Sequence, residues 1–260
     1  MVVFFTDLDN TMIYSYKHDI GKDKICAEIY QDREVSFITP KTAELLKEVN
    51  NKVILIPTTT RTIEQYERID LGYGTPKYAL VCNGGVLLVN GKEDINWYED
   101  SLELIKDCQE QLKLAEELMT KDENRSFEVR NIRNLFIFTK SSEPLLSVER
   151  LSQRLDTDKV DVFSNGVKVY VVPKKLGKGD AVLRFILRLP KDKEYYTTVS
   201  AGDSEFDISM LKATDYSIAP KSLADTANLS NAFEVFDGNG VFSDLILSQV
   251  LLIQKFDTLF

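Results

Sequence analysis

Two aspartates one residue apart, Asp7 and Asp9, close the apolar run Val2-Val3-Phe4-Phe5-Thr6 and hand the chain on to Asn10-Thr11. A buried strand that ends in carboxylates is aimed at a site, because open α/β sheets bind ligands just beyond the carboxyl ends of their strands. The competing reading is a polar turn, since Asp and Asn bond nearby backbone readily. Two other stretches repeat the pattern: residues 53–56 stop at Thr58-Thr59-Thr60-Arg61, and residues 195–200 stop at Ala201-Gly202-Asp203. Side by side, three such ends make a pocket of carboxylates and hydroxyls. Converging carboxylates with few basic neighbours raise one another's pKa and require a cation. Oxygen-only donors suit Mg2+, which usually works beside a phosphate.

Asp207 lies one helical turn beyond Asp203 and is a candidate ligand too. Ser204-Glu205-Phe206-Asp207 also fits a capping box, in which Asp207 would start a helix instead. Lys178, within Leu176-Gly177-Lys178-Gly179-Asp180, is on its own an ordinary surface lysine. Beside the carboxylates it would hold both a nucleophile and a phosphate as a compact charge.

The totals narrow the chemistry. The 260 residues suffice for a main domain and an inserted one. A net charge of −9 argues against binding nucleic acid or anionic membrane through a general basic field. No run approaches the roughly 18 apolar residues of a membrane span, and the first residues lack the basic region of a signal peptide, so the cytoplasm is the expected location. Cys26, Cys82 and Cys108 are odd in number and widely spaced, which predicts neither a disulfide framework nor a zinc site. One histidine, His18, leaves carboxylates, hydroxyls and lysine to carry the reaction.

The elements that must position these groups come in two patterns. After the opening strand, residues 12–38 read as a flap or hairpin over its tip. Thr39-Pro40 starts a helix with Leu45, Leu46 and Val49 on one face. A second strand (53–56), a helix carrying Ile63, Tyr66 and Ile69 as far as Leu71-Gly72, and a third strand (78–82) ending at Asn83-Gly84-Gly85 follow. This alternation predicts a parallel α/β sheet. The pattern then changes to one long amphipathic helix (101–120), strands at 127–132 and 135–139, a helix opened by Pro144, and strands at 160–163 and 167–172 turning at Asn165-Gly166. Helix, hairpin, helix, hairpin is read as an inserted α+β domain over 86–170, with the core at 1–85 and 171–260. The first pattern resumes with a helix (179–189), a strand (195–200), a helix (206–213), a short strand (216–219) and a closing helix (241–256).

Asp7-Leu8-Asp9-Asn10-Thr11, the hydroxyls before Arg61, Lys178-Gly179 and Gly202-Asp203-Ser204-Glu205-Phe206-Asp207, in this order, resemble the four motifs of the haloacid dehalogenase (HAD) superfamily of phosphatases. The insertion looks like the cap of the branch containing sucrose-phosphate phosphatase, mannosyl-3-phosphoglycerate phosphatase and phosphomannomutase, and Asn83-Gly84-Gly85 is similar too. The resemblance implies a Rossmann-like core with a mainly parallel sheet plus a cap. It makes Asp7 the nucleophile that becomes an aspartyl-phosphate, and Asp9 the acid/base. It makes Thr59 (with Thr58 a rival in the threonine run), Lys178 and Asn83 the phosphate contacts. Mg2+ would be held by Asp7, the Asp9 carbonyl and Asp203, with Asp207 a ligand or just behind one. Two positions depart from the branch: Thr60 stands where it has Gly, and Phe206 where it has Asn.

Capped members generally read the leaving group with the insertion, so Arg125, Arg130 and Arg133 are substrate candidates alongside Arg61, and Lys168 is a weaker one. A solvated hairpin edge is the competing reading for this cluster. The expected activity is Mg2+-dependent hydrolysis of a small-molecule phosphate ester, of sugar phosphate or phosphoglycerate type. A hexose-phosphate phosphomutase and an idle metabolite-binding protein are the alternatives.

Overall fold

Val2–Thr6 is the strand its apolar, β-branched run predicts, and all five residues are buried. Burial on both faces follows from its place inside a parallel sheet. In a computed structural model describing residues 1–190 and 195–257, it pairs with Thr197–Ala201 on one side and Ile54–Pro57 on the other; Phe4 lies opposite Val199 and Leu55. Tyr216–Pro220 and Ala232–Phe236 extend the sheet to five parallel strands, in the order 232–236, 216–220, 197–201, 2–6, 54–57. The strand ends carrying Asp7, Thr58 and Gly202-Asp203 are therefore neighbours.

Tyr78–Val81 was expected in this sheet but pairs antiparallel with Val86–Val89, which pairs in turn with Lys92–Glu93. One parallel bridge, Thr58 to Leu80, ties it to the main sheet. The chain divides into two compact units, one of Met1–Asp94 with Lys178–Phe260 and one of Ile95–Gly177. The boundaries expected at 86 and 170 move accordingly. Residues 86–93 complete a sheet of the first unit, and the strand Lys168–Pro173 runs on past 170 within the second.

In the first unit, Ile25–Tyr30 and Arg33–Ile38 form a hairpin joined at Gln31-Asp32, both with positive φ (51° and 59°), and Tyr14–Ser15 adds a third strand. Two consecutive left-handed residues give the turn twist that a hairpin favours. The helix Pro40–Lys52 starts as expected, with Thr39 Oγ1 accepting from the Thr42 N–H at 2.8 Å. Its first turn is tied to the closing helix Phe242–Asp257 by Thr39 and Thr42 hydroxyls donating to Asp244. The next helix is one turn only, Ile63–Tyr66, with a Thr62/Gln65 capping box, rather than a run to Leu71. Backbone pairing with the hairpin replaces further turns: Ile69 bridges Glu28, and the Asp70 N–H donates to the Ala27 carbonyl at 2.8 Å. Lys221–Ala227 and Ala232–Phe236 are elements the sequence reading did not separate from loop.

The second unit is a four-stranded antiparallel sheet in the order 160–165, 168–173, 136–140, 130–132, with helices Ile95–Leu104, Gln109–Thr120 and Pro144–Ser152. The single helix expected over 101–120 is broken by Ile105 (φ −111°, ψ 17°) and the short 3-10 turn Lys106–Cys108. The apolar stripe continues across the break, so its period does not reveal it. One hairpin turns on Arg133-Asn134, both at positive φ. Pairing of Asn165 with Lys168 centres the other on Gly166-Val167, one residue later than expected. Among the described residues no helix is long and apolar enough to cross a membrane.

Candidate active site

Asp7 follows the last residue of the central strand, and its N–H still bonds the Ala201 carbonyl at 2.9 Å, so its side chain is delivered by the sheet itself. Lys178 begins the helix Lys178–Arg188 and is 1% exposed. Its Nζ donates to Asp7 Oδ1 at 2.5 Å and to Asp207 Oδ1 at 2.6 Å. Asp207 Oδ2 accepts from the N–H groups of Asp203 (3.1 Å) and Ser204 (3.0 Å) and from the Ser204 hydroxyl (2.9 Å). The capping box therefore exists, and the same carboxylate anchors the lysine. Asp203 Oδ1 accepts from the Thr11 hydroxyl at 2.9 Å.

Carboxylate oxygens of Asp7, Asp203 and Asp207 lie within 4.8 Å of one another. Burial pushes the Asp7 carboxyl up to about 8; Lys178 opposes the rise, while Asp207 and Asp203 add to it. Burial and then Asp207 push Asp203 up to about 6. Burial disfavours the Lys178 charge, yet Asp207 and Asp7 outweigh it and hold the ammonium above the ordinary lysine range. Three acids around one ammonium leave the cluster short of positive charge. Among the described residues Asp7 Oδ2 and Asp203 Oδ2 carry no protein hydrogen bond, whereas both oxygens of Asp207 do. Hard oxygen donors arranged in this way fit Mg2+.

Two glycines let the backbone come this close. A β-carbon on Gly202 would stand 2.3 Å from Asp207 Cβ, and one on Gly179 would stand 2.6 Å from the Ser209 carbonyl.

The hydroxyl side is built by the neighbouring strand end. Thr58 and Thr59 are both buried. Thr58 Oγ1 donates back to the Ile56 carbonyl at 3.2 Å, while Thr59 Oγ1 accepts from the Arg61 N–H at 3.2 Å and keeps its own proton for another acceptor. Cys82 and Asn83 take positive φ (53° and 58°), and the Asn83 N–H bonds the Thr59 carbonyl at 3.0 Å, bringing Asn83 to the same edge.

Asp9 is held differently. Arg61 grips its carboxylate with Nε to Oδ2 at 2.8 Å and Nη2 to Oδ1 at 2.7 Å. The other side of the guanidinium bonds Glu28, at 2.9 and 3.0 Å. Burial alone would raise the Glu28 carboxyl, but hydrogen bonds from Arg61, Ser36 and Arg68 hold it below the usual range. Sequence reasoning placed Arg61 with the substrate candidates and missed Glu28 entirely. The available signal was a lone charge inside the run Ile25-Cys26-Ala27-Glu28-Ile29.

The remaining candidates have surroundings of their own. Arg125, Arg130 and Arg133 belong to the second unit and have local partners: the Phe127 carbonyl at 2.9 Å, Glu128 at 2.7 Å, and the Tyr98 ring at 4.2 Å, respectively. Lys168 stands 6.0 Å from the Phe138 ring centroid. His18 is exposed, its Nδ1 3.2 Å from the Ser15 hydroxyl. A cavity of about 590 Å³ opens beside Asp203, with Asn10, Tyr14, His18, Lys221 and Phe236 in its wall.

The chain is similar to known proteins. A model of the Sucrose-6F-phosphate phosphohydrolase family matches residues 1–229. A phosphoglycolate phosphatase of Methanopyrus kandleri is 25% identical over 189 residues, spanning 71% of this chain and 77% of that protein. The sucrose-phosphatase of Synechocystis, solved with sucrose and phosphate, superposes with a TM-score of 0.62 at 17% identity, covering 96% of this chain and 97% of that one. A phosphatase of the haloalkanoate (HAD) enzyme superfamily from Bacteroides thetaiotaomicron superposes with a TM-score of 0.54 at 14% identity, covering 96% of each chain.

Proposed function

We propose that this chain, a phosphatase that belongs to the Sucrose-6F-phosphate phosphohydrolase family of the HAD superfamily, hydrolyses a sugar phosphate or phosphoglycerate-type ester through a phosphorylated Asp7. The observation that carries this reading is a buried nucleophile candidate at the end of the central strand, bonded to a buried lysine at 2.5 Å within an acidic cluster.

In the first step a carboxylate oxygen of Asp7 attacks phosphorus, the ester P–O bond breaks, and Asp9 gives its proton to the leaving oxygen. In the second, water attacks the same phosphorus, Asp9 takes the water proton, and the P–O bond to Asp7 breaks. Splitting the displacement in two is ordinary covalent catalysis, with one carboxyl serving as acid and then as base. Lys178 orients Asp7 and offsets charge as the anionic phosphate approaches. Thr59, whose proton is uncommitted, and Asn83 hold phosphate oxygens, while Thr58 is engaged within its own strand.

Asp7, Asp203 and the Asp9 carbonyl would hold Mg2+, with Asp207 behind Lys178. When bound, the ion supplies positive charge between an anionic carboxylate and an anionic phosphate. Phe206, in place of the usual Asn, does not deprive Lys178 of anchors, since two carboxylates already hold it. The second unit serves as the cap that reads the leaving group, with Arg125, Arg130 and Arg133 as its basic candidates. Likeness to sucrose- and phosphoglycolate phosphatases supports a small, hydroxyl- or carboxyl-bearing leaving group.

The test is phosphate release from 4-nitrophenyl phosphate and from a panel of sugar phosphates and phospho-acids, with Mg2+ and with chelator. Turnover that needs Mg2+ and disappears in Asp7→Asn is expected. Undiminished turnover in Asp7→Asn would overturn the reading.

A further inference from the structure

Glu28 has no counterpart among the motif residues, yet it is one of the most completely partnered groups near the site. It sits on the hairpin strand Ile25–Tyr30 at 3% exposure. A carboxylate so buried persists only with its charge matched and its oxygens bonded. Oε1 accepts from Arg61 Nη1 at 2.9 Å and Arg68 Nε at 3.1 Å; Oε2 accepts from Arg61 Nη2 at 3.0 Å and the Ser36 hydroxyl at 2.8 Å.

Arg61 completes the chain of contacts. Nε and Nη2 donate to Asp9, Nη1 and Nη2 donate to Glu28, and Nη1 also donates to the Gln65 carbonyl at 3.2 Å. A guanidinium has five N–H donors, and here all are committed. Asp9 has no comparable anchorage of its own. Its side chain is 51% exposed, and among the described residues Arg61 is the only side chain bonded to its carboxylate.

We infer that Glu28 is a positioning residue for Asp9, acting through Arg61, and that the hairpin carrying it is part of the catalytic apparatus. The inference rests on the acid/base role given to Asp9 above. The planar fork of Arg61 fixes both the reach and the plane of the Asp9 carboxylate, and Glu28 fixes the fork by holding its opposite side. A displacement of about 1 Å in a proton donor is enough to cost on the order of a hundredfold in rate. The bland competitor is a purely structural ion-pair cluster that fastens the hairpin to the unit.

The leaving group separates the two. An alkoxide needs the Asp9 proton to depart, whereas 4-nitrophenolate departs without it, and kcat/KM reports the step that transfers phosphate to Asp7. The experiment measures kcat/KM for 4-nitrophenyl phosphate and for the best alkyl ester of the panel above, with the melting temperature of every variant recorded. Glu28→Gln is expected to lower the alkyl value by roughly 10–100-fold and the aryl value by less than about threefold. Arg61→Gln should show the same selectivity, and adding Glu28→Gln to it should bring no further loss. Ser36→Ala, which removes one bond from Oε2 and keeps the charge, should give a smaller loss with the same selectivity, and it carries the test if Glu28→Gln does not fold.

Equal losses on both esters, no loss on either, or a full additional loss in the Arg61→Gln background would overturn the inference while leaving the phosphatase reading intact. A wild-type protein that turns over neither ester would refute that reading and this inference together.

Discussion

Asp7 and Asp9 leave the same strand two residues apart and are immobilised by opposite means. Asp7 is buried and fixed by packing, by its own sheet bond and by a lysine that shares a second buried carboxylate. Asp9 is half exposed and fixed by one guanidinium, which a hairpin carboxylate anchors in turn. The contrast suits the two tasks proposed for them. A group that forms a covalent bond gains from a rigid, dry setting, whereas a group that exchanges protons must stay within reach of water while keeping its aim.

Removing the Asp7 side tests the rigid half most severely. Asp7→Asn should lower phosphate release by at least about 10⁴-fold while leaving a folded protein, checked by circular dichroism and a phosphate assay. Lys178→Met leaves Asp7 and Asp207 buried without their shared cation and should destabilise by about 3–5 kcal/mol in urea unfolding. A loss below about 1 kcal/mol there would mean that the cluster is not the rigid element it looks like.

Gly202→Ala drives a methyl group into Asp207 and should cost about 1–3 kcal/mol by the same measurement. The pH response is a finer probe. Asp7 keeps its proton up to about 8 when folded, but releases it near the ordinary carboxylate value, about 3.9, when unfolded. The folded state therefore binds more protons between those values, and metal-free protein should lose stability as pH rises from about 4 to 8. Asp7→Asn should flatten that slope in melting temperature against pH, and Mg2+ should restore most stability at the alkaline end. On the Asp9 side, Arg68→Ala removes the more exposed of the two Glu28 arginines and should cost no more than about 1 kcal/mol. A larger loss there would make the hairpin the rigid half of the pair.

The same contrast explains what could be read from the chain. Asp7 and Asp203 announce themselves because strand-end acids are short, local patterns, whereas Lys178 gains meaning only beside them, where the start of the helix Lys178–Arg188 places it. For Asp207 the capping box is present, and the oxygen that does not cap holds the lysine. Glu28 left only the trace of a charge within an apolar run, because the partners that give it meaning, Arg61 and Arg68, lie 33 and 40 positions away and outside its hairpin. The long helix expected over 101–120 failed for the reverse reason: an unbroken apolar stripe is kept on both sides of Ile105 although the backbone turns there. The helix expected to reach Leu71 stops at Tyr66 because hairpin pairing competes for the following backbone groups.

The order of the central sheet has a consequence in time. The 2–6 strand lies between strands 54–57 and 197–201, and every one of its five residues is buried. During synthesis at about 5–20 residues per second, the second of those neighbours follows the first strand by roughly ten to forty seconds. The contiguous stretch 95–177, which holds all four strands of its own sheet, is made within that interval. The strand that delivers Asp7 therefore waits as an apolar edge on the growing chain, and its second neighbour arrives only when residues 7–196 have already been made.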